Sequence, residues 1–223
     1  MAVIHHTTMS PGKLELLADW LPSRPWYRGV SAAPELAKAG GFRLDDPEGE
    51  VGIEFMVVTD TSGGVPVSYL VPLAYRGAPL EGGEAGLIGT SEHGVLGTRW
   101  IYDGTRDPVL VAQLLELLAG RATAQDQDTT GAPDPTVEVR AAGSGVPAGA
   151  RAGAGAVTAV SETETATELT PAASAVLSLS RVLEPGAGPE PVGQGARVLA
   201  EWTTPDGARL RGLFALLRGG ADH

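Results

Sequence analysis

Two kinds of hydrophobic spacing follow one another in the first half of the chain. Leu14, Leu17 and Leu21 fall on one helical face with Trp20 beside them, which predicts a helix from about Ser10 to Leu21. Ser10 is a candidate cap, Pro11 suits the first helical position, and Pro22 closes the element. Val51, Ile53, Phe55 and Val57 then alternate, as do Val67, Tyr69, Val71 and Leu73, so two strands are expected, joined by a hairpin loop at Asp60–Gly64. A third strand is expected at Arg99–Tyr102. A second helix is expected over Pro108–Ala119, with Asp107 as cap, Gly120 past its end, and Leu110, Leu114, Leu117 and Leu118 as a buried stripe.

The periodicity fades after Arg121 into a run of polar and turn residues, so a linker is placed at 122–135. It divides an α+β domain over 1–121, read as a curved antiparallel sheet packed against helices, from a small β-rich unit over 136–223. In the latter, strands are expected at Thr136–Arg140, Val176–Leu183, Ala196–Trp202 and Arg209–Leu217, with Thr204-Pro205-Asp206-Gly207 as a turn. Gly143–Gly155 is low in complexity and reads as a loop open to proteolysis. Aromatic residues concentrate before the linker, Trp202 and Phe214 excepted, so residues 1 to about 125 are expected to hold the better core and to fold without the rest.

Composition narrows the partners. With 27 acidic against 16 basic residues the formal charge is −11, which repels phosphate backbones and anionic lipids, so neither nucleic acid nor membrane is an expected partner. The acidic excess lies mainly before Gly131. The N-terminus has no signal-like pattern and no run is apolar enough to span a bilayer, so a cytoplasmic location is expected. There is no Cys, which removes disulfides, thiolate nucleophiles and Cys-ligated metals, and no cofactor is expected.

Few motifs carry chemistry. Gly82–Gly89 matches neither the dinucleotide nor the Walker pattern and reads as a tight connection. His5, His6, His93 and His223 show no metal-ligand spacing, and His93 beside Glu92 has no accompanying nucleophile, so it reads as a turn residue. Glu162, Glu164 and Glu168 among threonines read as a solvated strand edge. Trp20 to Gly29 differs: Trp26, Tyr27 and Arg28 are either a stacking surface for a sugar or partner, or an anchor in the core.

The run Trp-Leu-Pro-x-x-x-Trp-Tyr-x-Gly at Trp20–Gly29 resembles the opening of the N-terminal cap of actinobacterial maltokinases and related aminosugar kinases. Three later segments are similar to the same cap: Tyr69-Leu70-Val71-Pro72-Leu73 with Tyr75-Arg76, Ala85–Gly89, and Tyr102-Asp103-Gly104 leading to Asp107-Pro108. Beyond the linker, Val176–Glu190 resembles the strand and loop that follow the cap in those kinases, Leu-Lys-x-Phe-Arg-x-Leu-x-Pro-Gly-x-Asn-Pro-Asp/Glu. Two departures stand out: Ser178 occupies the place of the nucleotide-phosphate lysine, and Gly188 that of the Asn. A neutral hydroxyl cannot supply the fixed charge that orients ATP phosphates. The family's His-Gly-Asp catalytic and Asp-Phe-Glu metal segments do not occur in the sequence.

The resemblance thus implies a non-catalytic cap-like protein rather than an enzyme: an accessory or regulatory binding protein with a protein partner in α-glucan, maltose or trehalose metabolism. The alternative is a sugar- or sugar-phosphate-binding module built on the Trp26, Tyr27 and Arg28 region. Tyr75 and Arg76 join these three as candidate surface residues, and Ser178 marks a degenerate nucleotide position.

Overall fold

The computed structural model describes residues 9–30, 33–129, 131–142, 159–170, 175–186, 188–190 and 195–219. The elements are β1 (Met9–Ser10), α1 (Lys13–Trp20), β2 (Leu36–Leu44), β3 (Gly52–Asp60), β4 (Val67–Arg76), β5 (Leu87–His93), β6 (Gly97–Asp103), α2 (Pro108–Leu118), β7 (Glu138–Ala142), β8 (Ala159–Glu162), β9 (Ala166–Thr170), β10 (Val176–Ser180), β11 (Gly195–Thr203) and β12 (Arg209–Arg218). The loop expected at Gly143–Gly155 lies outside the described residues, as do His5, His6 and His223.

All twelve strands form one antiparallel sheet in the order β1-β5-β6-β4-β3-β2-β11-β12-β10-β9-β8, with β7 on β11. Midway the sheet curls back on itself. The Leu70 N–H donates to the Arg181 carbonyl at 3.0 Å and the Leu183 N–H to the Ser68 carbonyl at 2.9 Å. The segment just after β10 is thereby joined to β4, and β4, β3, β2, β11, β12 and β10 form a ring. Pro72 fits this arrangement. It stands on β4 between the stretch bonded to 181–183 and the stretch from Leu73 onward paired with β6, where the missing N–H interrupts neither ladder.

The expected α+β architecture is therefore corrected to a mostly antiparallel β fold. Helices of eight and eleven residues are too short to cover a sheet this large. The strands instead cover one another by curling, and the helices fill what remains. Alternation along β3 and β4 shows how. Ile53, Phe55, Val57 and Leu70 point into the ring with Phe42, Leu177, Leu179, Trp202 and Phe214, joined by the α2 leucines. Met56, Val58, Tyr69, Val71 and Leu73 point outward under Leu17, Leu21 and Trp26 of the α1 layer. Two apolar faces on one strand are what burial on both sides requires.

The inner cluster draws on both sides of 122–135, so that boundary divides the sequence but not the sheet. The segment itself is bound to β2: Arg43 and Gln125 exchange backbone hydrogen bonds at 2.9 Å each, and the Asp134 N–H donates to the Ala124 carbonyl at 2.9 Å.

Local signals set several element ends. The Asp107 carboxylate accepts from the N–H groups of Val109 and Leu110, capping α2 as its position predicts, and Gly120 follows the helix with φ +71°. α1 starts later than expected. Ser10 pairs with Glu92 in the sheet, and the helix begins at Lys13 after Gly12, whose N–H donates to Glu15 at 2.6 Å. The turn at Thr204–Gly207 is present, with Gly207 at φ +86°.

Candidate functional site

Trp26, the centre of the sequence-derived surface, is fully buried at 0 % exposure. It sits in a short loop that α1 delivers across the outer face of β3 and β4, with its ring 5.7 Å from Trp20 and 5.9 Å from Tyr69. Its indole N–H donates to Glu162 Oε1 at 3.1 Å, and the Arg181 guanidinium lies 5.0 Å from the ring centroid. Each contact points to an anchor holding the cap loop, β8 and the segment after β10 together. A ring with no exposed face cannot stack on a ligand.

Tyr27 is half-buried. Its hydroxyl donates to Asp60 Oδ2 at 2.8 Å, and burial together with the Asp60 carboxylate pushes its pKa up to about 12. Asp60 also accepts from the N–H groups of Glu35 and Ser62, so Tyr27 pins the loop to the β3–β4 hairpin. Arg28 is the exposed member of the trio: its backbone N–H donates to the Tyr69 hydroxyl at 2.9 Å, and its guanidinium lies 3.8 Å from Glu184.

Tyr75 and Arg76 stand toward the other end of β4. Six residues separate Tyr75 from Tyr69, about 20 Å at the rise of a strand, so the five candidates do not form one surface. Tyr75 donates to Glu54 Oε2 at 2.6 Å, the oxygen that also receives Lys13 Nζ at 2.6 Å, while Gln127 Nε2 donates to Glu54 Oε1 at 3.1 Å. Burial raises the Glu54 pKa, but Lys13 and the Tyr75 hydroxyl outweigh it and hold the carboxyl below its ordinary value. Burial and the neighbouring Glu54 charge push Tyr75 well up. Arg76 grips Asp107 with two bonds, at 2.6 and 3.1 Å, fixing the α2 cap to the end of β4.

The sequence reading missed the ion pair at the centre of the fold. Arg181 is fully buried, and its Nη2 donates to Asp103 Oδ2 at 2.5 Å and to Thr105 Oγ1 at 3.0 Å, while Nε donates to Thr167 Oγ1 at 2.7 Å. The available signal was a single charge inside the apolar run Val176–Leu183, since a charge placed there must have a partner. Ser178 stands on β10 between Leu177 and Leu179. Those two leucines face the ring, so Ser178 faces away from it. Both lysines of the chain are engaged elsewhere, Lys13 with Glu54 and Lys38 with Asp128.

The remaining motifs take their plainer readings. Gly82 turns at φ +69° into a short 3-10 turn that leads to β5, and His93 Nδ1 accepts from the Val95 and Leu96 N–H groups in the β5–β6 turn. The expected solvated edge is met in part only: Glu164 is exposed between β8 and β9, whereas Glu162 on β8 accepts from Trp26 and Glu168 lies on β9, which is paired on both sides. Among the described residues, no three His, Asp or Glu side chains converge as a metal site, and no helix is long and apolar enough to cross a membrane. A cleft of about 360 Å³ opens where β2 meets β11, lined in part by Lys38, Asp128 and Gln127 and away from Trp26, Tyr27 and Arg28.

The chain matches no curated protein. Residues 20–107, which run from Trp20 through the β2–β6 strands to the α2 cap Asp107, match the family model of the maltokinase N-terminal cap domain, so this part of the chain is similar to that cap.

Proposed function

We propose that these 223 residues act by binding rather than by phosphoryl transfer, as a cytoplasmic, non-catalytic accessory or regulatory protein whose protein partner belongs to α-glucan, maltose or trehalose metabolism. The observation that carries the reading is Ser178. It occupies the place that the kinase resemblance gives to a phosphate-orienting lysine, on a strand face turned away from the core, and both lysines of the chain are held in ion pairs elsewhere. Arg181, three residues on, is fully buried and committed to Asp103, so it supplies no substitute charge. Phosphoryl transfer depends on positioning and on fixed positive charge, so a site lacking that charge is poorly suited to it. The pathway comes from the relationship to the cap alone.

Burial of Trp26 disfavours the sugar-stacking alternative in that region and leaves Tyr27 and Arg28 as parts of a rigid surface that a protein can contact. Calorimetric titration with Mg-ATP, in the presence and absence of maltose, tests the reading: no heat of binding is expected. Micromolar ATP affinity, or ADP release that depends on sugar, would overturn it.

A further inference from the structure

The strand that joins the two halves of the sheet is paired along only part of its outer side. The Thr61 N–H donates to the Glu35 carbonyl at 3.1 Å, and the register continues with Leu36 opposite Asp60, Ala37 opposite Thr59 and Lys38 opposite Val58. Successive residues of an antiparallel strand turn their N–H and C=O groups to opposite neighbours. Glu35 and Ala37 therefore serve β3, and Leu36 and Lys38 turn theirs the other way, toward β11. There β11 pairs with β2 only at Gly40, through Trp202, and the two strands part. Among the described residues the outward groups of Leu36 and Lys38 have no ladder partner, and Ala37 and Lys38 are exposed. This open edge is one wall of the cleft of about 360 Å³, and Thr203, Thr204 and Pro205 make the wall across from it.

We propose that this cleft receives an extended segment of a partner protein, which adds to β2 as a further strand and carries Lys or Arg beside a short apolar stretch. The edge selects a main chain. Two N–H and two C=O groups face outward two residues apart, which is the spacing at which an added strand presents its own. From Leu36 to Gly40 the edge runs about 13 Å, enough for roughly four residues of that strand. The walls select the side chains: Ala37, Ala39 and Gly40 leave room beside the backbone, and with Pro205 they present mainly carbon. Charge selects the flanks. Lys38 is matched by Asp128 at 3.0 Å, and the segments that build the cleft also carry Glu35, Asp126 and Asp206 against Arg209 alone. The rim is therefore acidic and complements a basic segment. A second copy of this chain does not fit, because its own β2 edge lies behind the same Thr203 to Pro205 wall, whereas a single extended segment can enter.

The assignment rests on the reading of the chain as a protein that binds a protein partner, and not on the lack of kinase activity. ATP affinity would overturn that reading and leave the open edge as it is, and a failure of the test below would leave the ATP titration standing. The probe is a phage-displayed library of random octapeptides, panned on the full chain, with enriched peptides then synthesised and titrated by calorimetry. Peptides with alternating apolar residues and at least one Lys or Arg are expected, with Kd of about 1–100 µM. Lys38→Pro removes an N–H that faces the cleft and serves no strand of the sheet, so it should weaken binding at least about tenfold while lowering Tm by no more than about 4 °C. Lys38→Ala loses the same ion pair but keeps the N–H, and should bind within about threefold of the native chain. In the native chain, hydrogen exchange at the Leu36 and Lys38 amides should be fast and should slow at least about tenfold when peptide is bound. Absence of enriched peptides, enrichment of acidic ones, binding that survives Lys38→Pro, or amides already protected without peptide overturns the proposal. Should Lys38→Pro fail to fold, the exchange measurement on the native chain decides alone.

Discussion

Replacing Arg181 by Met removes the charge that ties the segment after β10 to the cap. In the native protein Asp103 is 3 % exposed, and its two oxygens are served differently. Oδ1 accepts from the Thr105 N–H at 3.1 Å and from the Thr105 hydroxyl at 2.9 Å, whereas Oδ2 receives the Arg181 guanidinium. The substitution leaves Oδ2 buried beside a thioether and takes the cation from the Trp26 ring. Removing one member of a buried ion pair costs about 3–5 kcal/mol, because the remaining charge has lost both water and partner. Domains have roughly 5–15 kcal/mol in total, so the change takes a large share. For a chain of this size each kcal/mol moves Tm by about 2–4 °C, which gives an expected fall of roughly 6–20 °C. The assay is differential scanning calorimetry with urea denaturation, on Arg181→Met, Asp103→Asn and the double variant. The double variant should lose less than the sum of the singles, since neither buried charge then remains. A fall of less than about 2 °C for Arg181→Met, or full additivity in the cycle, would refute the claim that this pair holds the two parts together.

Further outcomes follow from the same geometry. Trp26→Ala empties a fully buried site and should cost about 3–5 kcal/mol in denaturant unfolding, while Tyr27→Phe, which loses one hydrogen bond of a half-buried group, should cost about 1 kcal/mol. The Glu54 carboxyl is held below its ordinary pKa in the folded state, so its stabilising contribution is present above the unfolded value of about 4.5 and is lost as pH falls through the folded one. Lys13→Met should therefore be less stable than the native protein at pH 7, and the gap measured by urea midpoints should narrow below about pH 4.5. Gly41→Ala would place a Cβ 1.9 Å from the Phe55 carbonyl at φ +122°, so thermal unfolding should show a loss of at least about 3 kcal/mol or no folded protein. A fragment ending at residue 125 should lack a sharp unfolding transition, because Phe42 and Phe55 would lose the cover of Phe214 and the β10–β12 strands.

What the sequence made legible follows from where the side chains alone carry the structural information. β3, β4 and α2 could be read because their apolar spacing, the Asp107 cap and the Gly120 stop agree with one another. β2 could not: Leu36-Ala-Lys-Ala-Gly-Gly-Phe-Arg-Leu44 has no clean alternation, since a bulge between Lys38 and Gly40 shifts the register and two positive-φ glycines carry the strand across the ring. β5 escaped for a related reason, being a largely exposed strand with few apolar positions to repeat. Misjudging β2 changed the fold class, because β2 is the strand through which the first half reaches β11 and the second. The same limit governs the sites. Trp26 was conspicuous by its chemistry, but whether a ring faces ligand or core is decided by partners distant in sequence, here Glu162 and Arg181. Arg181 and Asp103 lie 78 positions apart, so neither announces the other. The cleft is less visible still, since alanines, glycine and threonines become a wall only when β2 and β11 diverge after one shared pair. A cleft made by strand divergence is written in backbone geometry, and its residues carry no pattern of their own.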